Sequence, residues 1–463
     1  MPSLAFDAAD RLDVAAVLDV LRGIARDGAE LGPFEVIAPR QRRQEATHAE
    51  GGAVEVVWRV PDDGPATLIS ATVHDAQGRG PTRLSGDRLD ALLVPLGLLP
   101  PDAEAPGADP GPERLALLDH RLSLREFRVE GSHFGDPMLS GGPNDDVILG
   151  GQFRDRIFAT AGGDDEIDGG EHLDRLFYEG GLDPVRGPVE VELRGRFVTK
   201  PGGDVDHFTQ IETLHLTEHG DRVFDGPRKG EVTVFMLGGN DLYRDREDTD
   251  SSIFAGQSAD VLRMGGGRDY GYGEDGRDLI FGGFGQDHLR GGGREDRLYG
   301  GPDADALFGE GGADLIEGGG CDDLRLDGGR GDDRISGGGG ADSLQGRGGD
   351  DLLFGGQGAD VIAGGGGADR FDGGGGADLL RLGPKAGGGD GALDVVVLRA
   401  GEGADRVTAF QLGEDLVELS GLGFADLTFV DEAEGAAIYA PGGRLAVFAG
   451  LTALQLDDAD NFV

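Results

Sequence analysis

A nine-residue period constrains this chain more than any other feature. From Gly282 the sequence reads GGFGQDHLR, GGGREDRLY, GGPDADALF and GEGGADLIE. After one imperfect unit and one inserted residue it continues GGRGDDRIS, GGGGADSLQ, GRGGDDLLF, GGQGADVIA, GGGGADRFD and GGGGADLLR. The form is G-G-x-G-x-D-x-U-x, with U apolar. The sixth-position aspartate recurs at Asp260, Asp269, Asp278, Asp287, Asp296, Asp305, Asp314 and Asp323, then, one residue out of phase, at Asp333, Asp342, Asp351, Asp360, Asp369 and Asp378. A shorter array carries Asp146, Asp155, Asp165 and Asp174, with Asp136 in a degenerate first unit. The apolar eighth position is lost at Gly271 and Arg325.

A unit this short divides into six turn residues and a three-residue strand. Glycine at positions one, two and four lets the turn be tight and partly left-handed. The strand x-U-x points U inward and its neighbours outward. One inward side chain per unit makes no core alone, so the units must stack as coils whose strands pair in parallel. Even stacked, nine residues are ordered for each large apolar group buried, and glycine loses the most backbone entropy of any residue. The 463 residues include 89 Gly, and 87 acidic residues against 42 basic ones give a net charge of −45. Such a chain repels itself when compact. A cation must therefore be supplied from outside the sequence.

The turns offer carboxylate and backbone carbonyl oxygens and almost no His or Cys, which disfavours zinc and copper. Flexible, oxygen-only coordination describes Ca²⁺. Mg²⁺, which holds its water and demands an octahedron, comes second. All fourteen sixth positions of the main array are Asp and none is Glu, so a short side chain that keeps its carboxylate near the turn is being selected. Asp and Gly also favour turns for their own sake, but that does not keep fourteen of them in phase.

These units resemble the nonapeptide repeats of the repeats-in-toxin (RTX) proteins. The resemblance runs from about residue 130 to 381. It implies a right-handed parallel β-roll in which several Ca²⁺ ions sit between successive turns, held by sixth-position Asp side chains and turn carbonyls. Carried over, the metal-binding residues are Asp146, Asp155, Asp165, Asp174, Asp260, Asp269, Asp278, Asp287, Asp296, Asp305, Asp314, Asp323, Asp333, Asp342, Asp351, Asp360, Asp369 and Asp378. Asp278 and Asp296 would share a site on one side of the roll, and Asp287 and Asp305 one on the other. Arg294, Asp303 and Cys321 replace the fourth glycine in their units. The segment 401–428 is similar to the one that comes after the roll in secreted RTX proteins, including serralysin-type proteases. The ending Asp460-Asn461-Phe462-Val463 resembles a C-terminal signal for type I secretion. The first residues, MPSLAFDAADRLD, have neither the basic nor the apolar region of a signal peptide.

The expected fold is therefore mainly β: a parallel β-roll with a small N-terminal α+β domain and a β-rich C-terminal cap. Residues 1–99 read as that small domain, with a helix over 10–26, a hairpin of 53–60 and 66–80, and a short helix over 88–99. Residues 100–130 are a linker and lead-in, 131–177 the first array, 178–250 an irregular β interlude, 251–382 the main array and 383–463 the cap. The interlude reads as continued winding with longer turns, a separate inserted domain being the alternative.

Catalytic signals are sparse. His215-Leu-Thr-Glu218-His219 matches H-x-x-E-H, but its flanks alternate like a strand running into a turn, where zinc chemistry needs both histidines on one helical face. H-E-x-x-H and G-x-S-x-G are absent, and Cys321 falls in a turn. A single Cys rules out a disulfide scaffold. The charge excludes nucleic acid as partner, and no apolar run is long enough to span a membrane. The expected function is a secreted or cell-surface Ca²⁺-binding protein whose roll folds on export through the type I machinery. It would serve adhesion, matrix, surface or self-assembly partners. The alternative is an extracellular polymer-acting enzyme with its site in 1–130 or 178–250.

Overall fold

Each repeat unit forms one strand, and successive strands alternate between two parallel stacks. The computed structural model describes residues 139–463 other than 142, 181–183, 226–231, 247 and 384–390, and before them the backbone of six short strands. The expected helices at 10–26 and 88–99, the linker at 100–112 and Asp136 lie outside the described residues. Two units divide the chain, Met1–His219 and Gly220–Val463.

In the first unit, Gln41–Thr47, Ala53–Arg59 and Thr67–His74 pair antiparallel in sequence order, so the expected hairpin is present. Thr82–Ser85 and Arg128–Glu130 continue this sheet. Arg128–Glu130 then pairs in parallel with Val147–Gly151, where the winding begins. Val147–Gly151, Glu166–Gly170 and Val205–Thr209 form one stack. Arg156–Phe158, Arg175–Phe177 and Thr213–His215 form the other. The start of the interlude therefore continues the winding. Its irregularity is an antiparallel pair, Glu190–Glu192 with Phe197–Thr199, set between two coils.

In the second unit, Arg222–Phe224, Leu242–Arg244, Val261–Gly266, Leu279–Phe284 and Arg297–Gly301 stack in parallel. Thr233–Phe235, Ser252–Gln257, Tyr270–Asp275, His288–Gly293 and Ala306–Gly311 do the same on the other face. The eighth-position side chains fill the space between the stacks: Ile280, Leu289, Leu298, Leu307 and Ile316 are all 0% exposed. Both departures from the apolar rule are absorbed. At Gly271 the side chains of Leu289, Ile280 and Met264 close in to within 3.2, 3.4 and 3.6 Å of where a Cβ would stand. In the imperfect unit the core place goes to Leu326, not to Arg325: Leu326 is fully buried and pairs with Leu307, Arg325 faces outward, and Leu324 is 69% exposed. The residue that shifts the phase thus lies between Asp323 and its strand, where a turn can take it up. The stacks continue through Leu379–Arg381 and Val395–Arg399 into the cap, where Thr428–Glu432, Gly435–Ala440 and Gly443–Phe448 form an antiparallel meander. The last residue is tied down by a hydrogen bond from Val463 N–H to the Val417 carbonyl, and Phe462 packs edge-on to Phe424.

The three glycines of a unit do different work. Position one has no left-handed torsion but sits inward, where a Cβ on Gly282 would collide with the Asp287 carboxylate. Position two is left-handed, as at Gly283 with φ 107°, and its missing Cβ lets the Gly265 carbonyl of the preceding coil approach. Position four is left-handed too, at φ 112° in Gly285, but Cys321 stands there at φ 62°. Substitutions at these two positions should act in opposite directions. Gly283→Ala is expected to destabilise the coil by at least about 1–2 kcal/mol, the cost of left-handed torsions for a residue with a Cβ. Cys321→Gly should stabilise it by up to about the same amount. Thermal unfolding in saturating Ca²⁺ checks both, and a stabilising Gly283→Ala would refute the reading.

Candidate metal centre

Position one gives up its Cβ so that the sixth-position carboxylate can turn inward. Asp278, Asp287, Asp296 and Asp305 are at most 3% exposed. In each, Oδ1 accepts the backbone N–H of the aspartate one coil earlier. Asp260 N–H donates to Asp278 Oδ1 at 2.8 Å, Asp278 N–H to Asp296 at 2.7 Å, and Asp296 N–H to Asp314 at 2.7 Å. The same bonds link Asp269 to Asp287 and Asp287 to Asp305, at 2.9 and 2.8 Å. The expected pairing of Asp278 with Asp296, and of Asp287 with Asp305, is the pairing these bonds make. Two columns of carboxylates result, one along each edge of the stack. One runs through Asp314, Asp333, Asp351 and Asp369, the other through Asp305, Asp323, Asp342, Asp360 and Asp378.

The second oxygen of these carboxylates is the chemically informative one. Oδ2 of Asp260, Asp269, Asp278, Asp287, Asp296, Asp305, Asp314, Asp323, Asp333, Asp342, Asp351, Asp360 and Asp378 is buried with no hydrogen-bond donor. Burying a charged oxygen without a partner is costly. Several of them lie close to a main-chain oxygen of the next coil. The point where a Cβ of Gly282 would stand touches Asp287 Oδ2 and lies 2.7 Å from the carbonyl oxygen of Gly300, one coil on. At Gly300 the neighbours are Asp305 Oδ2 and, at 2.6 Å, the Gly318 carbonyl. Among the described residues no three His, Cys, Asp or Glu side chains converge as a metal cluster. A cation bound beside these carboxylates would therefore be held by carboxylate and carbonyl oxygens together, the donor set of a hard ion such as Ca²⁺. The residues present fit that ion.

Burial shows in the acidities. Loss of solvent, opposed by the backbone N–H bond, pushes Asp296 and Asp269 up to about 8 and Asp278 and Asp287 up to about 6. Asp241 rises to about 9. Without a cation, these carboxyls hold protons far better than a solvated Asp does.

The columns run beyond the two arrays, first through Asp221 and Asp241, around which the sequence also shows candidate units. Asp221 and Asp241 lead into Asp260. Beyond the repeats, Asp369 N–H donates to Asp394, Asp378 N–H to Asp405 and Asp394 N–H to Asp415. In the first unit Asp146 N–H donates to Asp165, Asp165 N–H to Asp206, Asp155 N–H to Asp174 and Asp174 N–H to Glu212. The signal for Asp206, Asp394, Asp405 and Asp415 was in the sequence as the bare triplet Asp-x-apolar. The irregular spacing hid it.

The other candidates take structural places. His215 ends the strand Thr213–His215, with Glu218 and His219 in the turn after it. Its ring stacks on Phe177 at 4.3 Å, and burial together with Arg175 and Arg156 lowers it to about 4. Cys321 is an exposed free thiol. Among the described residues no helix is long and apolar enough to cross a membrane.

The model of the RTX calcium-binding nonapeptide repeat (four copies) matches residues 140–171, 264–298, 290–324, 325–353 and 345–380. Among solved structures, the chain is similar to the solution structure of the AlgE6R3 subunit of the Azotobacter vinelandii mannuronan C5-epimerase. Identity is 28% over 33% of this chain and 79% of that one, with a TM-score of 0.19. No curated protein matches the chain.

Proposed function

We propose that this RTX-type repeat protein is exported and that its β-roll winds up on binding Ca²⁺ outside the cell. The observation that carries the reading is the set of buried Asp Oδ2 atoms from Asp260 to Asp360 in the two columns that lack a donor, several of them beside a carbonyl of the next coil. Bound Ca²⁺ would supply the positive charge that balances those oxygens. The chain does the rest. Asp Oδ1 fixes the distance between coils, the first-position glycine leaves room for the carboxylate, and the eighth-position apolar residue pulls the two stacks together. In a cytosol poor in Ca²⁺ the carboxylates repel and the chain stays threadable. Outside, binding free energy becomes folding free energy.

Export is supported by the RTX repeats and by the likeness of 401–428 and Asp460–Val463 to the C-terminal region read by type I machinery. For the folded roll we infer a structural role in adhesion, at a surface or in a matrix. Its flanks carry ladders of stacked rings, such as Phe254 on Tyr272 at 4.4 Å, and Arg334 over Phe354 at 4.3 Å, which tie successive coils together.

The test is equilibrium dialysis of the full chain against Ca²⁺ with excess Mg²⁺ as competitor. Several Ca²⁺ ions should be retained per chain, and Mg²⁺ should not displace them. Fewer than one ion per chain, or equal displacement by Mg²⁺, would overturn the proposal.

A further inference from the structure

One step of the carboxylate columns already contains its cation. Asp165 is a sixth-position aspartate, and its Oδ1 accepts the Asp146 N–H at 2.9 Å like the others. Its Oδ2, unlike that of the main-array aspartates, has a cationic partner. It lies 3.5 Å from Nζ of Lys200, a side chain 0% exposed, which is also 2.6 Å from Asp206 Oδ1. The same Nζ donates to the carbonyl oxygens of Thr160 and Gly162 at 3.2 Å each. These are the first and third positions of the unit that holds Asp165. Two sixth-position-type carboxylates and two turn carbonyls thus converge on an ammonium group. The turn itself is altered, because the first position of this unit is Thr160 and not glycine. The fourth oxygen of the pair is filled as well: Tyr178 donates its hydroxyl to Asp206 Oδ2 at 3.0 Å.

Lys200 reaches this point because of the irregular interlude. The coil step from Asp165 to Asp206 spans 41 residues, where the main array uses 18. The extra length is the antiparallel pair Glu190–Glu192 and Phe197–Thr199, and Lys200 comes directly after its second strand. The insertion delivers a positive charge into the stack.

We propose that Lys200 is a built-in counter-cation that takes the place of a metal ion between the coils of Asp165 and Asp206, so that this step closes without Ca²⁺. Asp165, expected from the repeat pattern to be a metal ligand, is thereby reassigned as an ion-pair partner of the chain itself. Two carboxylates against one ammonium leave one negative charge, and the Tyr178 hydroxyl and the Asp146 and Asp165 N–H groups share it. The first array then holds a step that needs no Ca²⁺ to close, next to which later coils can add once Ca²⁺ is bound. This inference rests on the proposed Ca²⁺ reading for the main roll only in the contrast between the two regions.

Hydrogen–deuterium exchange of the full chain in chelator tests it. Peptides covering 160–170 and 197–209 should stay protected in the native chain while those covering 260–380 exchange. Lys200→Met, which keeps the bulk and removes the charge, should speed exchange of 160–170 and 197–209 by at least tenfold in chelator. Lys200→Met combined with Asp165→Asn restores the native charge count and should recover most of that protection. A lysine that merely packs would not be rescued in this way. Equal exchange of the native chain and Lys200→Met in chelator would overturn the assignment, and so would a double variant no better than the single one. Both comparisons are made between chains at the same metal level, so they judge Lys200 whether or not the main roll needs Ca²⁺. Protection of 260–380 in chelator would refute the Ca²⁺ reading by itself.

Discussion

In chelator at pH 8 the full chain is expected to lose most of its β-type circular dichroism, and millimolar Ca²⁺ should restore it in one steep transition. The physical reason is the imbalance within each coil. A nine-residue unit buries one large side chain, for instance Leu298 or Ile316, while it also buries a carboxylate whose Oδ2 has no donor. Every nine-residue unit added without a cation adds another such oxygen to a chain whose net charge is −45. Each ion that binds only the wound form, at one hundred times its Kd, contributes about 2.7 kcal/mol. Contributions in series along two columns are what make the transition steep, because a coil's ligands come from its neighbours. Mg²⁺ at the same concentration should restore little of the signal, since it holds its water and demands an octahedron, whereas carboxylate and carbonyl oxygens on flexible turns suit the looser coordination of Ca²⁺. Within the same experiment, Asp296→Ala should raise the Ca²⁺ midpoint several-fold. It removes an oxygen from the middle of a column and orphans the Asp278 N–H that Asp296 Oδ1 accepts. A full β signal in chelator, or an unshifted midpoint in Asp296→Ala, would contradict this account.

The second large effect is a stability that rises as the solution is made more acid, provided metal is absent. Asp269 and Asp296 are pushed up to about 8 in the wound form, and Asp305, Asp323, Asp333 and Asp351 to about 7, chiefly by loss of solvent. In the unwound chain they return to ordinary values near 4. The wound form therefore binds protons more tightly than the unwound form. Stability in chelator should be fully present below about pH 4 as far as these groups are concerned, and be lost progressively as pH rises from about 4 to about 8. Melting temperature in chelator should climb as pH is lowered from 8.5 to 5. In saturating Ca²⁺ that climb should vanish or reverse, because protons then compete for the same oxygens. General charge repulsion has the same sign in chelator, so the series should be repeated at about 0.5 M salt, where surface charges are screened within a few ångströms. Buried columns keep their pH dependence there. A melting temperature in chelator that is flat with pH at high salt would show that the sixth-position carboxylates are not the groups responsible.

The sequence alone determined the architecture of the roll and its chemistry. A strict period with an apolar eighth place leaves parallel stacking as the way to bury that residue. An Asp at every sixth place, with glycines around it, leaves a hard cation as the natural partner. Local pattern suffices there because each coil contacts only the coils beside it, so the repeat carries nearly all the information about its own surroundings. What the tertiary structure decided lies where coils have unequal lengths. Leu326 and not Arg325 enters the core, since pairing with Leu307 sets the register and a turn absorbs the extra residue. Asp206, Asp394, Asp405 and Asp415 join the columns across steps of 41, 25, 27 and 21 residues, which no fixed period reveals. Lys200, on an inserted strand pair, becomes the buried partner of Asp165 because the winding carries it there, over a separation of 35 residues. Contacts of that kind are set by where the coils return in space, and spacing along the chain does not encode that.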